Sequence, residues 1–246
     1  MKHITFYLDF LSPYTWLAFE RLPQELQGLS YSVSYQPVLL GALLQHHGQR
    51  GPAEMPHKRE WTYRQVLWLA HQQGTPLQMP VAHPFNPLPL LRLAFACVGE
   101  AAPDGMPNRY ATGTILRHVW QGGGADALDP ARLQALVEQL QPPQALDSDA
   151  VKQRLRASTD AALALGVFGV PAFRVDDRLF WGQDALPMLR AYLDGELTEQ
   201  QRAEADASYR ADLEAIEQEV AQAKLHQSFQ PSTSRSTGLK PSRNMI

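Results

Sequence analysis

Cysteine is nearly absent: Cys97 is the sole thiol in 246 residues. Without a C-x-x-C pair the chain cannot cycle a dithiol of its own, so any sulfur chemistry must use a thiol that a ligand brings. Cys97 lies in the apolar segment Leu90 to Val98 and reads as a small buried hydrophobe. Long apolar runs are missing too, and nothing approaches the roughly 20 residues of a membrane span. Basic excess is missing: 22 Lys and Arg stand against 25 Asp and Glu, a formal net charge of −3. That balance carries no footprint of nucleic-acid binding. The eight histidines include no H-x-x-x-H pair and no His/Cys cluster with zinc spacing, and the adjacent His46 and His47 would diverge on a helix, so no metal site is expected. A strand pattern begins within a few residues of Met1, which leaves no room for a signal peptide and makes the cytoplasm the expected compartment. No internal repeat is present.

What is there centres on Tyr7 to Trp16. Ile4, Phe6 and Leu8 alternate with polar neighbours over residues 3–9, which predicts a strand. Ser12-Pro13 then reads as an N-cap followed by proline at the first helical position, where its missing N–H costs nothing. Ser12 therefore stands at a helix N-terminus, where unpaired N–H groups and the macrodipole favour negative charge. Its hydroxyl can cap the helix, or it can also hold an external anion such as a thiolate.

A first helix over 14–26 leads to a second strand, Tyr31 to Pro37, parallel to the first through a right-handed crossover. Helical candidates follow over 39–44, 61–73, 88–99, 108–121, 130–141 and 148–165. Asp129-Pro130 and Asp147 supply start signals, and Gly166 a left-handed stop. Strands resume over 172–175 and 178–181 around Asp176-Asp177, and Asp184 is placed to cap a following helix. Lys58 and Arg59 in the 48–59 loop read as a solvated pair, and Asn86 in His83-Pro-Phe-Asn-Pro87 as a cap. Residues 198–227 form a charged helical pattern with a sparse Leu213, Ile216, Val220 stripe; residues 228–246 have the composition of a disordered tail.

Four stretches in order resemble the thioredoxin-like family of 2-hydroxychromene-2-carboxylate isomerases and kappa-class glutathione transferases. They are the Tyr7-Leu-Asp-Phe-Leu-Ser-Pro-Tyr14 opening, the middle segment from Pro37-Val-Leu-Leu-Gly41 to His83-Pro-Phe-Asn-Pro87, Gly166-Val-Phe-Gly-Val-Pro-Ala-Phe173, and Leu179-Phe-Trp-Gly-Gln-Asp184. The resemblance covers about residues 3 to 195. It implies an α/β fold: a thioredoxin-like four-stranded mixed sheet, at 1–39 and 158–197, interrupted by a large all-helical insertion at 40–157. It implies a glutathione-dependent enzyme of the cytoplasm acting on a small aromatic or enone substrate of aromatic-compound catabolism. It also leaves room for a homodimer. Ser12 would hydrogen-bond the glutathione thiolate, Val170 would offer its backbone beside a cis Pro171, Lys58 would meet a glutathione carboxylate, and Trp181, Gly182, Gln183 and Asp184 would hold the γ-glutamyl end. Asn86 is the substrate-contacting position. The aromatic-pathway isomerases carry a lysine near Leu43-Leu44 and an Asn-Arg pair near Glu54-Met55, and this chain has neither. A kappa-type transferase or peroxidase, or a thioredoxin-like binding protein without catalysis, would share the same glutathione-side residues.

Overall fold

The computed structural model describes residues 1–99, 102, 104–195, 207, 210–212 and 214–218. The alternation at the N-terminus forms β1 (Lys2–Leu8), with Ile4, Phe6 and Leu8 fully buried on one face. Ser12 caps α1 (Pro13–Glu25), which returns the chain to β2 (Tyr31–Pro37), parallel to β1 from Lys2 opposite Tyr31 to Leu8 opposite Pro37.

Among the described residues six α-helices follow: α2 (Leu40–His46), α3 (Pro56–Gln73), α4 (Leu88–Ala96), α5 (Arg109–Trp120), α6 (Pro130–Leu140) and α7 (Asp149–Ala164). Side-chain caps start several of them. Asn108, Asp129 and Ser148 accept hydrogen bonds from the backbone N–H groups of Ala111, Arg132 and Val151. The cap of α7 is thus Ser148 and not the expected Asp147: Ser148 holds the extended backbone, and Asp149 falls in the first turn, where its charge suits the dipole. The start of α3 also differs. Pro56 at its first position opens the helix well before Trp61, so Lys58 lies on a helical turn and not in a loop.

β3 (Ala172–Val175) and β4 (Arg178–Trp181) close a mixed four-stranded sheet in the order β2-β1-β3-β4, with β3 antiparallel to both neighbours, and α8 (Leu186–Asp194) follows. Asp176 takes a positive φ of 55° in the hairpin turn, a conformation that Asp tolerates better than most residues. This is the thioredoxin-like sheet expected from the motifs.

Phe6 packs on Phe173 with ring centroids 4.6 Å apart and joins Trp16, Phe19, Leu91, Leu116 and Trp120 in one core. Each such side chain contributes roughly 1.5–3 kcal/mol when fully buried. A smaller core on the other face holds Tyr7, Val38, Leu43, Val167 and Val170. The helical block therefore shares its main core with the sheet, and residues Met1–Glu196 pack as one compact unit. Helix α7 runs unbroken past residue 157, so a split into a sheet domain and a 40–157 insert remains a proposal about connectivity. The helix expected at 198–227 falls mostly outside the described residues, of which 207, 210–212 and 214–218 are helical; the 228–246 tail lies wholly outside them. No described helix is long and apolar enough to cross a membrane.

Candidate active site

The turn from β1 into α1 places Ser12, only 6% exposed, opposite the loop that enters β3. Its Oγ accepts from the Thr15 N–H at 3.3 Å and donates toward the Val170 carbonyl at 3.5 Å. The second contact is long for an O–H···O bond, so the hydroxyl proton is held weakly and a better acceptor would capture it. The Val170–Pro171 peptide is cis. The Val170 N–H has no acceptor among the described residues. A hydroxyl and a peptide N–H with no acceptor among the described residues thus stand at the N-terminus of a 13-residue helix.

The β3–β4 hairpin frames this point. Gly182 N–H donates to the Pro171 carbonyl at 2.9 Å, which sets the Trp181-to-Asp184 turn beside Val170. Gly182 has φ 99°, which favours glycine, and a Cβ there would push the exposed Asp184 carboxylate aside. Trp181, 56% exposed, lies across Gly169 and packs on Phe168 with centroids 5.1 Å apart. A Cβ on Gly169 would come within 2.8 Å of the indole Nε1. Gly169→Ala is therefore expected to displace the Trp181 ring, seen as a fluorescence shift, with little loss of melting temperature because the exposed ring can swing away.

Asp184 departs from expectation. A single 3-10 turn, Gln183–Ala185, intervenes before α8, whose capping position is Ala185. Asp184 therefore caps nothing; it is exposed, and its carboxylate folds back over Gly182. Burial raises the Tyr14 phenol, the Asp184 charge raises it further, and a hydrogen bond with Thr62 opposes both. Tyr14 donates to Gln65 Oε1 at 2.8 Å, and Gln73 Nε2 donates to Gln183 Oε1 at 2.8 Å. These bonds tie α1 and the Gly182–Asp184 turn to one face of α3.

Lys58 is exposed, one helical turn before Thr62 on that face, and it makes no hydrogen bond or ion pair among the described residues. No contact joins it to Ser12 in the described structure. Asn86 Oδ1 accepts from the Leu88 N–H at 3.1 Å, fixing the entry to α4. Ser12, Val170, Trp181, Gly182, Gln183 and Asp184 thus cluster around one turn, and Lys58 and Asn86 stand outside that contact set.

Asp9, to which the sequence motifs assign no role, is fully buried. Its carboxylate accepts from the Leu11 N–H at 3.0 Å and the Leu40 N–H at 2.9 Å, and burial pushes its pKa up to about 6. A charged residue set among Leu8, Phe10 and Leu11 was the available signal. Cys97 is half-buried beside a cavity of about 690 Å³ along β2, away from Ser12, and burial pushes its thiol up to about 11, which leaves it inert.

Comparison with known proteins matches this architecture. A family model described as a DSBA-like thioredoxin domain matches residues 3–194. The chain is 31% identical over 198 residues to the 2-hydroxychromene-2-carboxylate isomerase of Pseudomonas putida, covering 76% of this chain and 92% of that one. It is 25% identical over 217 residues to the glutathione S-transferase kappa 1 of Rattus norvegicus, covering 77% and 89%. The solved structure of a 2-hydroxychromene-2-carboxylate isomerase superposes with a TM-score of 0.65 at 25% identity, covering 82% of this chain and 98% of that one. The chain belongs to the DSBA-like thioredoxin family, among relatives that are 2-hydroxychromene-2-carboxylate isomerases and kappa glutathione S-transferases.

Proposed function

We propose that this protein is a glutathione-dependent isomerase acting on 2-hydroxychromene-2-carboxylate or a related enone. The observation that carries the proposal is the Ser12 hydroxyl facing Val170, whose N–H has no acceptor among the described residues, in a chain with no second cysteine. The residues fit glutathione: Val170 offers an extended peptide an N–H and a C=O, Gly169 and Gly182 allow close approach, and Asp184 supplies a carboxylate for an ammonium. When bound, glutathione would supply a thiolate that adds reversibly to a conjugated carbon, leaving a single bond free to rotate before the thiol departs.

Ser12 would donate a hydrogen bond to that sulfur, and the N-terminus of α1 would favour its charge. A thiol of pKa about 8.5 is only about 3% ionised at pH 7, whereas one of about 6.5 is roughly three-quarters ionised, a difference of about 2.7 kcal/mol. A hydroxyl bond to a charged acceptor supplies about 1.5–3 kcal/mol and the helix terminus roughly 0.3–1.

One observation favours a second reading, transfer to other electrophiles. Leu43 is buried in the smaller core, and Glu54 Oε1 is taken by the Gly51 N–H at 3.1 Å, so neither position offers a cation to a substrate carboxylate. Turnover of a chromene carboxylate measured against an aryl halide, both with glutathione, separates the readings. Faster isomerisation supports the first; conjugation alone supports the second. Calorimetry with no glutathione binding would refute both.

Asp184→Ala is expected to weaken glutathione binding at least about tenfold at matched folding, the loss of one charge-assisted contact. Because Asp184 caps no helix, its removal should leave the melting temperature nearly unchanged. A stability loss with unchanged affinity would contradict this role.

A further inference from the structure

The peptide unit that joins Leu11 to Ser12 is held at both of its polar ends. Its N–H, on Ser12, donates to the Asp9 carbonyl at 3.1 Å. Its carbonyl, on Leu11, lies 2.9 Å from Nε2 of His83, a residue 72 positions away in the loop between α3 and α4. A carbonyl can only accept, so Nε2 carries the ring proton. Nδ1 of the neutral ring is then an acceptor, and the Tyr63 hydroxyl of α3 stands 2.7 Å from it and 2.9 Å from the His83 carbonyl. The second contact leaves Tyr63 in place whichever acceptor its proton serves. Trp120 and Phe85 pack edge-on against the imidazole at centroid distances of 5.7 and 6.1 Å, so the ring cannot turn without disturbing the main core.

We propose that His83 is a positioning residue: oriented by Tyr63, it locks the Leu11–Ser12 peptide and so keeps the Ser12 hydroxyl aimed at Val170. What Ser12 does with that aim rests on the proposed function; where Ser12 is held does not. A supporting histidine of this kind works through the hydrogen bond on its other nitrogen, which fixes tautomer and orientation. Burial lowers the imidazole below its ordinary range and the Arg59 charge adds to this, while the Leu11 bond opposes them. The balance favours the neutral ring, the form that donates from Nε2 and accepts at Nδ1. His83 lies in the loop between α3 and α4, and through it the helical block reaches the turn where the sheet presents Ser12.

The test uses the full chain with His83→Ala, His83→Gln and Tyr63→Phe. Nitrogen NMR of the wild type should show a neutral ring protonated on Nε2 at pH 7; a ring protonated on Nδ1, or a charged ring, would overturn the proposal. In His83→Ala the Ser12 amide proton should exchange about tenfold faster, the factor that one net hydrogen bond supplies. With glutathione and 2-hydroxychromene-2-carboxylate, kcat should fall about tenfold while the KM for glutathione stays within about twofold, because the loss acts on the aim of Ser12 and not on binding. His83→Gln, whose amide can donate to the same carbonyl, should recover most of both. Unchanged Ser12 exchange and kcat in folded His83→Ala, or no recovery in His83→Gln, would overturn the assignment. Should His83→Ala not fold, Tyr63→Phe keeps the ring but removes its Nδ1 partner, and must still speed Ser12 exchange and lower kcat; no change in either counts against the proposal. If the wild type binds no glutathione, the functional reading falls, and the tautomer and exchange measurements still decide the role of His83.

Discussion

Ser12→Ala should lower glutathione-dependent turnover roughly 10–30-fold, the thiolate fraction lost when a shift of about 2–2.7 kcal/mol disappears. Affinity for glutathione should fall much less, because the Val170 backbone and the Trp181-to-Asp184 turn are untouched. The substitution also removes the Thr15 cap, at a cost of about 0.5–2 kcal/mol, so rates must be compared on the folded fraction. A fall in affinity at constant kcat would mean that Ser12 helps to bind glutathione without activating it. Ser12→Cys sharpens the point. A second thiol at the same helix terminus should form a mixed disulfide with glutathione under mild oxidation.

Asp9→Ala should be the most destabilising change at the site. It strips the acceptor from two peptide N–H groups, on Leu11 and Leu40, and each group left unpaired in the interior costs about 1–3 kcal/mol, for roughly 2–6 in all. The effect depends on pH in a defined direction. Burial raises the folded-state pKa from 3.8 to about 6, so between these values the folded protein holds a proton that the unfolded chain releases. The stabilisation from that proton is complete below about pH 3.8 and is lost as pH rises through about 6. The gap between wild type and Asp9→Ala should therefore be wider at pH 5 than at pH 8. Urea unfolding at both values measures it, and a gap that widens toward pH 8 would contradict the assignment.

The site was legible where its signals are local. The strands Tyr31–Pro37, Ala172–Val175 and Arg178–Trp181 have the bounds that alternation and the Asp176-Asp177 turn predict, because both act between near neighbours. Ser12 was legible because a cap and a proline sit side by side. The start of α3 was not: exposed Trp61, Leu67 and Trp68 blur its apolar stripe, and the opening proline lies five residues before the first of them. Asp184 looked like a cap because an acidic residue before an apolar stripe usually is one, and the extra 3-10 turn had no marker. Asp9 and His83 were invisible as a pair of clamps, since their partners lie 31 and 72 residues away and only the folded chain brings them together.

In the proposed mechanism Ser12 lowers the pKa of a glutathione thiol bound beside Val170. The direct measurement is the ultraviolet thiolate absorbance of the glutathione complex, titrated from about pH 5 to 9 across the free-thiol range. The wild-type midpoint should lie well below that of free glutathione and move back toward the free value in Ser12→Ala. A midpoint equal to that of free glutathione, unmoved by Ser12→Ala, would make Ser12 a helix cap only and contradict the mechanism.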